Sequence, residues 1–359
     1  MDTGTDTAVE EYIKKRPGSQ RLHEQAARLF AANGATHAAR VMDPFRPYIV
    51  RAKGSRKWDV DGNEYIDFVM GHGALILGHS HPAVVKALGE QVAKGLLYGD
   101  NHELEIEWAS LIRQMMPVAE HVEFCTCGQE ANMMAIWVSR IFTGRKKVLR
   151  FAENFHGWGE ELVRKDSPGV YADNVDVIPF NSVDAVAAAL ATKQYAVLMT
   201  EGGGAHMAGQ VPISDELLYA LPRLTKDSGT VWLLDEVVTG FRDTQGGFQA
   251  LKGVKPDLSS VGKCMGGGLP VGALLGRADI MEALSPKAPG EKRIGHSGTW
   301  NANAAVAAAV AKMESLQATL NDTSLKSPIN GRVLYRLAEP GEVLAAGGKA
   351  LTLLDLSDM

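Results

Sequence analysis

The segment VWLLDEVVTGFR (231–242) begins as an apolar run and turns polar at Asp235. The run predicts a buried strand, because strands covered on both faces of an α/β sheet are apolar throughout. Ligands of such sheets gather at the carboxyl ends of strands, where a buried carboxylate needs a cationic partner. Val237, two residues on, would point to the same side. A helix cap or a turn aspartate is the alternative interpretation of Asp235.

On both sides of this strand, predicted helices alternate with short apolar strands, from about Ser80 to Leu316. The alternation predicts an α/β fold with a mainly parallel sheet and helices on both faces. An alanine-rich stretch at 301–316 predicts a buried packing helix. The other predicted helices cover 82–95, 129–142, 183–192 and 214–227, and the predicted strands cover 147–151, 175–179, 195–200, 230–235 and 270–276.

The segments before and after this region have different residue patterns. Residues 20–32 predict an amphipathic helix, and residues 48–69 predict a small β-meander turned at Asp61-Gly62. From Ser327 onward, glycines recur between short Val/Leu runs, which is typical of a β-meander. We therefore predict three parts, namely an amino-terminal segment at 1–78, a large domain at 79–316 and a β-rich tail at 317–359.

Composition argues against several classes of protein. The 359 residues are 45% hydrophobic and 22% charged, as in a globular chain, and the net charge of -5 is spread without the basic stripe that nucleic acids require. The chain lacks both an apolar leader and a run of the roughly 20 apolar residues that span a bilayer, so we expect a cytosolic protein with no membrane partner. Cys125, Cys127 and Cys264 should be reduced thiols. His79 and His81 lack a third ligand, so no metal is expected.

A second segment, DLSSVGKCMGGGLPVGALLGR (257–277), places Lys263 between an apolar run and three consecutive glycines. Glycines let the backbone approach a flat ligand closely. Pyridoxal-phosphate (PLP) chemistry needs a lysine to form an imine, an acid for the pyridine nitrogen, donors for the phosphate and a group stacked on the ring. The sequence offers a candidate for each of these four requirements.

The spacing of D-E-V (235–237) and G-K-x-x-G-G-G (262–268) resembles that of class III aminotransferases, which are fold type I PLP enzymes. The resemblance implies that Lys263 holds PLP as a Schiff base and that Asp235 keeps the pyridine nitrogen protonated. It also implies that Val237 packs under the ring. Family members continue well beyond the region of resemblance, which ends in the alanine-rich helix after Asn303. We therefore expect a large domain followed by an incomplete small domain.

The segment FCTCGQEANMMAI (124–136) resembles the family's S-G-T-E-A-N turn, which leads into a helix and offers backbone N–H groups to the cofactor phosphate. Cys127 stands in place of the serine, Gly128 matches, and Gln129 replaces the threonine. The backbone donors survive these changes, whereas hydroxyl donors are lost. We therefore expect weaker PLP affinity than is usual for the family.

Other motifs supply the remaining contacts that the resemblance implies. Phe155, in F-H-G, would stack on the cofactor with His156 nearby. Thr299, in HSGTWNAN, would reach the phosphate of the neighbouring subunit, so a homodimer is expected. Glu201 fits the family's strand-end glutamate, although Gly202 stands where proline is usual.

The resemblance implies ping-pong transamination between a small-molecule amino donor and a carbonyl acceptor, with the Lys263 amine moving the proton. The stretches at 17–41 and 155–181 look most like glutamate-1-semialdehyde 2,1-aminomutases, whereas GTWNAN leans toward amino-acid aminotransferases, so an intramolecular aminomutase reaction stays open. A PLP-binding but inactive chimeric remnant is a third alternative. Arg40 is a candidate clamp for a substrate carboxylate, because a guanidinium binds carboxylates bidentately. A surface arginine without a ligand is the other interpretation.

The tail at 323–359 resembles half of the barrel-sandwich (biotinyl/lipoyl-like) domain of membrane-fusion secretion adaptors, through SPINGRV and PGEVLAAGGKALTLLDL. No lysine stands where a carrier domain would present biotin or lipoate. Half a sandwich would expose unpaired strand edges, which favours a chimeric reading frame over a working fusion. A secretion-adaptor fragment is the weakest functional class, because a full coiled-coil hairpin and a membrane anchor are missing.

Overall fold

The structure is a computed structural model that describes residues 3–36, 40–163, 167–311, 331–336 and 351–355. It divides into two compact units. Unit 1 comprises Met1–Met70, Leu77–His81 and Thr323–Met359, and unit 2 comprises Gly71–Ile76 and Pro82–Asp322.

Unit 1 begins with two helices, α1 (Thr3–Lys14) and α2 (Pro17–Ala26). The second helix ends before the predicted limit at 32, because its backbone closes with short-range bonds such as Leu29 N to Ala26 O and then turns left-handed at Asn33. An antiparallel sheet follows, formed by β1 (Ile49–Lys53), β2 (Arg56–Asp59) and β3 (Glu64–Ile66). The predicted meander at 48–69 is thereby confirmed.

Unit 2 holds most of the regular structure. Its helices are α3 (Met70–Gly73, whose first residue belongs to unit 1), α4 (Pro82–Val92), α5 (Glu103–Met115), α6 (Gly128–Thr143), α7 (Val183–Ala191), α8 (Asp215–Ser228), α9 (Gly247–Lys252), α10 (Ala278–Met281) and α11 (Ala304–Ala311). Its strands are β4 (His121–Cys125), β5 (Lys147–Phe151), β6 (Val175–Ile178), β7 (Tyr195–Glu201), β8 (Gly204–Ala205), β9 (Val211–Pro212), β10 (Val231–Asp235), β11 (Leu258–Gly262) and β12 (Gly272–Gly276).

The main sheet has seven strands among the described residues, in the order β4-β12-β11-β10-β7-β5-β6. β12 is antiparallel to both neighbours, and the other pairings are parallel. The predicted α/β fold with a mainly parallel sheet is therefore confirmed. β7, β10, β11 and β12 are buried along their whole length, in keeping with the mainly apolar sequences of β7, β10 and β12.

Helices cover the sheet on both faces, as the alternating pattern predicted. One buried cluster packs α6 against the sheet, and another packs α7 and α8 on it. Serine caps fix the starts of two of these helices, since Ser182 Oγ accepts from Ala185 N and Ser214 Oγ accepts from Leu217 N. The alanine-rich helix begins at 304 instead of 301, because residues 299–302 form a turn.

Two short strands of the tail belong to unit 1. They are β13 (Gly331–Arg336) and β14 (Leu351–Asp355), and they pair antiparallel. The rest of the predicted β-rich tail lies outside the described residues, as does the end of the predicted helix beyond 311.

Candidate active site

Several residues with predicted catalytic or cofactor-binding roles lie at the carboxyl edge of the main sheet. Asp235 ends β10 and pairs in parallel register with Glu201, which ends β7. Lys263 directly follows β11, the neighbour of β10 on its other side. Parallel strands place their ends at one edge, so residues far apart in the sequence are brought together here.

Asp235 is a buried charged group of this edge, with 6% of its surface exposed. Its Oδ2 accepts hydrogen bonds from Asn132 Nδ2 at 2.7 Å and His156 Nδ1 at 2.8 Å. Its Oδ1 accepts from the backbone N of Val237 at 3.0 Å. Burial raises the pKa of Asp235, but the hydrogen bond and charge of His156 and the other two donors outweigh burial and lower it. Asp235 is therefore a carboxylate, and not merely a turn residue.

Lys263 has an unusual backbone and an unusual amine. Its φ of 44° lies in the left-handed region, which costs a non-glycine residue on the order of 1 kcal/mol. Burial lowers the pKa of its amine, while the negative charges of Asp235 and Glu201 oppose that effect. Strain of this kind is retained where function needs it, and a lower pKa increases the neutral, nucleophilic fraction of the amine.

Glu201 acts on the backbone around the site. Its Oε2 accepts from Phe155 N at 3.1 Å and from His206 N at 2.8 Å, and its own N donates to Asn154 Oδ1 at 3.1 Å. Burial, reinforced by the charge of Asp235, raises the pKa of Glu201 to about 7, although the charge of His156 lowers it. The side chain thus joins two loops at the edge of the sheet.

The start of α6 packs tightly against the residue after Asp235. A Cβ on Gly128 would lie 2.3 Å from Val237 Cγ2, so only glycine permits this approach. Cys127 is the N-cap residue, and its side chain makes no capping hydrogen bond. Gln129 Oε1 accepts from Trp158 N at 2.8 Å. The first N–H groups of α6 thus lie next to Val237 at the positive end of the helix dipole.

Phe155 lies on the loop that also carries His156. Its ring contacts Trp158 edge-on, with centroids 5.6 Å apart, and it lies 6.2 Å from the ring of His206. His156 is buried, and its Nε2 has no hydrogen-bond partner within the described residues. The aromatic ring and the imidazole therefore share one short segment, as the F-H-G motif suggested.

The other two predicted site residues, Thr299 and Arg40, are both exposed. Thr299 is exposed, in a turn of unit 2. Arg40 belongs to unit 1, is exposed, and donates from Nη1 to Thr36 Oγ1 at 3.2 Å.

Three further polar residues belong to the site and were not predicted from the sequence. Asn132 shares Asp235 Oδ2 with His156, and Asn154 holds the backbone of Glu201. Arg242 donates from Nη2 to Gly73 O and, at 2.9 Å, to the Sγ of the residue after Lys263. Only Asn132 had a local signal, because it is the asparagine of the E-A-N in the phosphate-turn motif.

A buried carboxylate held by imidazole and amide, a strained lysine and a helix that begins at a glycine thus occur together at this edge of the sheet. The class III aminotransferase model matches residues 37–167 and 170–330. The chain belongs to the class III aminotransferase family. Enzymes of this family depend on PLP, so this chain is a PLP-dependent enzyme of the aminotransferase and aminomutase type.

Individual relatives agree with this class III aminotransferase assignment. A glutamate-1-semialdehyde 2,1-aminomutase from Archaeoglobus fulgidus is 38% identical over 299 residues, covering 79% of this chain and 70% of that protein. The crystal structure of a β-phenylalanine aminotransferase from Variovorax paradoxus superimposes with a TM-score of 0.80 at 31% identity, covering 86% of this chain and 71% of the other. A transaminase with PLP bound gives a TM-score of 0.79 at 29% identity, with 85% and 75% covered.

The residues of this class III aminotransferase fit PLP. Asp235 Oδ1 accepts a single donor, although a carboxylate oxygen can accept two, and the buried His156 Nε2 and Asn132 Oδ1 are without partners among the described side chains. Buried polar groups without partners call for an explanation, and a bound polar ligand is one. Across the described ranges, no cluster of His, Cys, Asp or Glu could hold a metal ion, and no helix is long and apolar enough to cross a membrane.

Proposed function

We propose that this chain binds PLP in unit 2 and transfers an amino group from an amino acid, or another amino-carbonyl compound, to a keto acid or aldehyde. One observation carries the proposal: the ionised Asp235 lies within electrostatic reach of Lys263, whose amine has a lowered pKa. When bound, PLP withdraws electrons from the substrate Cα through its protonated pyridine ring. A carboxylate and a reactive amine are two of the groups that this chemistry requires of the protein.

Asp235 holds the proton on the pyridine nitrogen, because His156 and Asn132 keep its carboxylate charged. Val237 and Phe155 pack against the cofactor ring. The N–H groups at the start of α6, from Cys127, Gly128 and Gln129, bind the phosphate, since they lack partners within the helix and lie at its positive end. Weaker affinity than is usual for the family follows from the missing hydroxyl groups.

The Lys263 amine moves a proton from the substrate Cα, and burial favours this role by keeping more of the amine neutral at a given pH. Glu201 and His156 act as positioning residues, the first through the backbone of Phe155 and the second through Asp235. Arg40 binds the substrate carboxylate. In this scheme the two half-reactions follow each other, and the amino product of the second leaves only after the carbonyl product of the first.

An intramolecular aminomutase reaction is the second candidate, and a specific observation favours it. Several curated relatives are glutamate-1-semialdehyde 2,1-aminomutases, including one from Thermodesulfovibrio yellowstonii that is 40% identical over 290 residues, with 76% of this chain and 68% of that protein covered. The likeness to a β-phenylalanine aminotransferase favours transamination instead. Incubation with glutamate-1-semialdehyde alone, compared with an amino acid plus a keto acid, separates the two, because only an aminomutase converts a single substrate fully.

We also propose that this chain forms a homodimer in the cytosol. The exposed position of Thr299 is compatible with its reaching the phosphate bound by a second copy. The resemblance of 323–359 to half a biotinyl/lipoyl-like domain remains part of the proposal, with β13 and β14 as its described strands. A chimeric, inactive remnant is the outcome in which PLP binds but no amino donor is consumed.

The deciding experiment adds PLP to the purified full chain and follows the visible absorbance of the lysine-bound cofactor. We expect a band in the wild type that is absent in Lys263→Ala. Lys252→Ala is the matched control, because Lys252 lies on the surface and pairs with Asp215 at 2.8 Å. A folded wild type without the band would refute the proposal. Loss of the band on addition of an amino donor then distinguishes a competent enzyme from a remnant.

A further inference from the structure

The exposed turn that carries Thr299 is held by side chains from distant parts of unit 2. We define the Thr299 turn as residues 298–302, closed by Asn301 N donating to Gly298 O at 3.1 Å. Trp300 within it has 58% of its surface exposed. A turn with so little burial of its own needs outside contacts to keep one conformation.

His102 supplies such a contact at the end of the turn. Its Nε2 lies 2.8 Å from the carbonyl oxygen of Ala302, 200 residues further along the chain. Its Nδ1 accepts from Glu105 N at 3.2 Å and thereby caps α5. Because Nδ1 accepts and a carbonyl cannot donate, the ring is neutral with its proton on Nε2. Both nitrogens are thus used, one for the helix and one for the turn.

The other side of the turn is fixed as well. His296 Nδ1 lies 2.8 Å from Glu123 Oε1 of β4, two residues before the turn begins. Asn303 Oδ1 accepts from Ala305 N at 2.9 Å and caps α11 directly after the turn. Ala302 itself has a φ of 47°, in the left-handed region that alanine rarely adopts. The bond from His102 reaches the turn at its strained residue.

We infer that His102 is a positioning residue for Thr299, holding the Thr299 turn in the conformation that presents Thr299 to a phosphate. The inference rests on the proposed role of Thr299. A cap alone does not explain the choice of histidine, because serine, threonine, aspartate and asparagine are the better N-caps. Histidine adds a second nitrogen on the far side of the ring, and that nitrogen makes the contact with Ala302.

We call the hydrogen bond from His102 Nε2 to Ala302 O the tether, and the bond from Glu105 N to His102 Nδ1 the cap. Two substitutions distinguish their effects. His102→Asn keeps a good N-cap but is too short to reach Ala302, whereas His102→Gln places an amide N–H near the position of the imidazole Nε2. We expect amide hydrogen exchange in the Thr299 turn of the cofactor-free protein to quicken about tenfold in His102→Asn, as for the loss of one hydrogen bond, and to stay near wild type in His102→Gln. His121→Ala, an exposed histidine on β4, is the control. Thermal unfolding of His102→Asn should change by no more than a few degrees, because one hydrogen bond is a small part of the stability of the whole chain.

A double-mutant cycle tests the link to the cofactor. We expect the PLP dissociation constant to rise about fivefold in His102→Asn and about tenfold in Thr299→Ala, which removes one phosphate hydrogen bond. The double variant should be no weaker than Thr299→Ala, because His102 acts through Thr299. Additive effects would overturn the inference, as would equal loosening of the turn in His102→Asn and His102→Gln. An unchanged dissociation constant in Thr299→Ala would instead refute the proposed role of Thr299, while the exchange rates would still test the tether.

Discussion

Asp235 owes its charge to two neighbours that are distant in the sequence, Asn132 and His156. Asp235→Asn keeps the size of the side chain and removes the charge that would pair with the pyridine nitrogen. We expect PLP affinity to fall by about 10- to 100-fold, which corresponds to the 1.5–3 kcal/mol of a hydrogen bond to a charged group. Titration of the visible absorbance with PLP measures the loss. Asp227→Asn, on the surface of α8, should bind PLP like the wild type.

Glu201 should make the stability of the cofactor-free protein depend on pH. Burial raises its pKa to about 7 from an ordinary value of 4.5, so the folded state holds this proton more tightly than the unfolded state does. The resulting stability is fully present below pH 4.5 and is lost as the pH rises through about 7. Relative to Glu201→Gln, which cannot titrate, the wild type should lose roughly 3 kcal/mol over this window.

Urea unfolding of both proteins at several pH values measures this difference. Glu216→Gln, an exposed carboxylate at the start of α8, is the control and should track the wild type throughout. A gap between wild type and Glu201→Gln that stays constant with pH would contradict the assignment of a raised pKa to Glu201.

At the scale of elements, the contact of α6 with the loop after β10 sets the position of the first N–H groups of the helix. Gly128→Ala would force a Cβ to within 2.3 Å of Val237 Cγ2, so the helix must shift. We expect a loss of about 1–3 kcal/mol in unfolding free energy, together with weaker PLP binding. Adding Val237→Ala should restore the stability, although the smaller side chain packs less well on the cofactor.

The control for this prediction is Gly89→Ala in α4, where a Cβ would meet no atom within 4 Å. That change should stabilise the protein by about 0.5–1 kcal/mol through helix propensity. Thermal and urea unfolding give both values. Equal effects of the two alanines would show that the fit of α6 against Val237 does not matter.

The N-cap of α6 offers a gain instead of a loss. Cys127 makes no side-chain capping bond, whereas a serine hydroxyl would accept from the N–H groups of the first turn and donate to a phosphate. Cys127→Ser should stabilise the protein by about 1 kcal/mol and tighten PLP binding. Cys127→Ala, which cannot cap, serves as the comparison. If serine and alanine behave alike in unfolding and in PLP titration, the expectation of weak phosphate binding at Cys127 is wrong.

The sequence predicted five of the seven strands that the main sheet has among the described residues. β5 was predicted at its observed bounds, 147–151, because its apolar run is bounded by polar and turn residues. β4, β11 and α5 were missed, since HVEFC is only partly buried, LSSVG contains two serines, and α5 carries several charges. The site shows a similar division. Motif residues were found from local spacing, but Asn154 and Arg242 act on partners that only the fold brings near.

The proposed dimer predicts complementation between two defective chains. If Thr299 serves the neighbouring subunit, a mixed dimer of Lys263→Ala and Thr299→Ala contains one intact site, with Lys263 from one chain and Thr299 from the other. In an equal mixture half of the dimers are mixed, so about a quarter of wild-type sites should recover. Visible absorbance at limiting PLP, after joint refolding, measures this fraction. No recovery above the two parents would mean that Thr299 acts within its own subunit or not at all.

The single antiparallel strand of the main sheet has a consequence for binding. Because β12 runs opposite to β11, the chain turns back through a short loop, and no crossover helix is inserted between Gly262 and Gly272. A parallel partner would require a connection of a dozen residues or more. The conformational entropy of the loop that carries Lys263 is therefore already lost when the chain folds. A ligand that binds the Lys263 amine does not have to order this loop. Lengthening this loop with flexible residues should leave the fold largely intact. Binding of a ligand to the Lys263 amine should weaken, because the ligand would then have to order the loop.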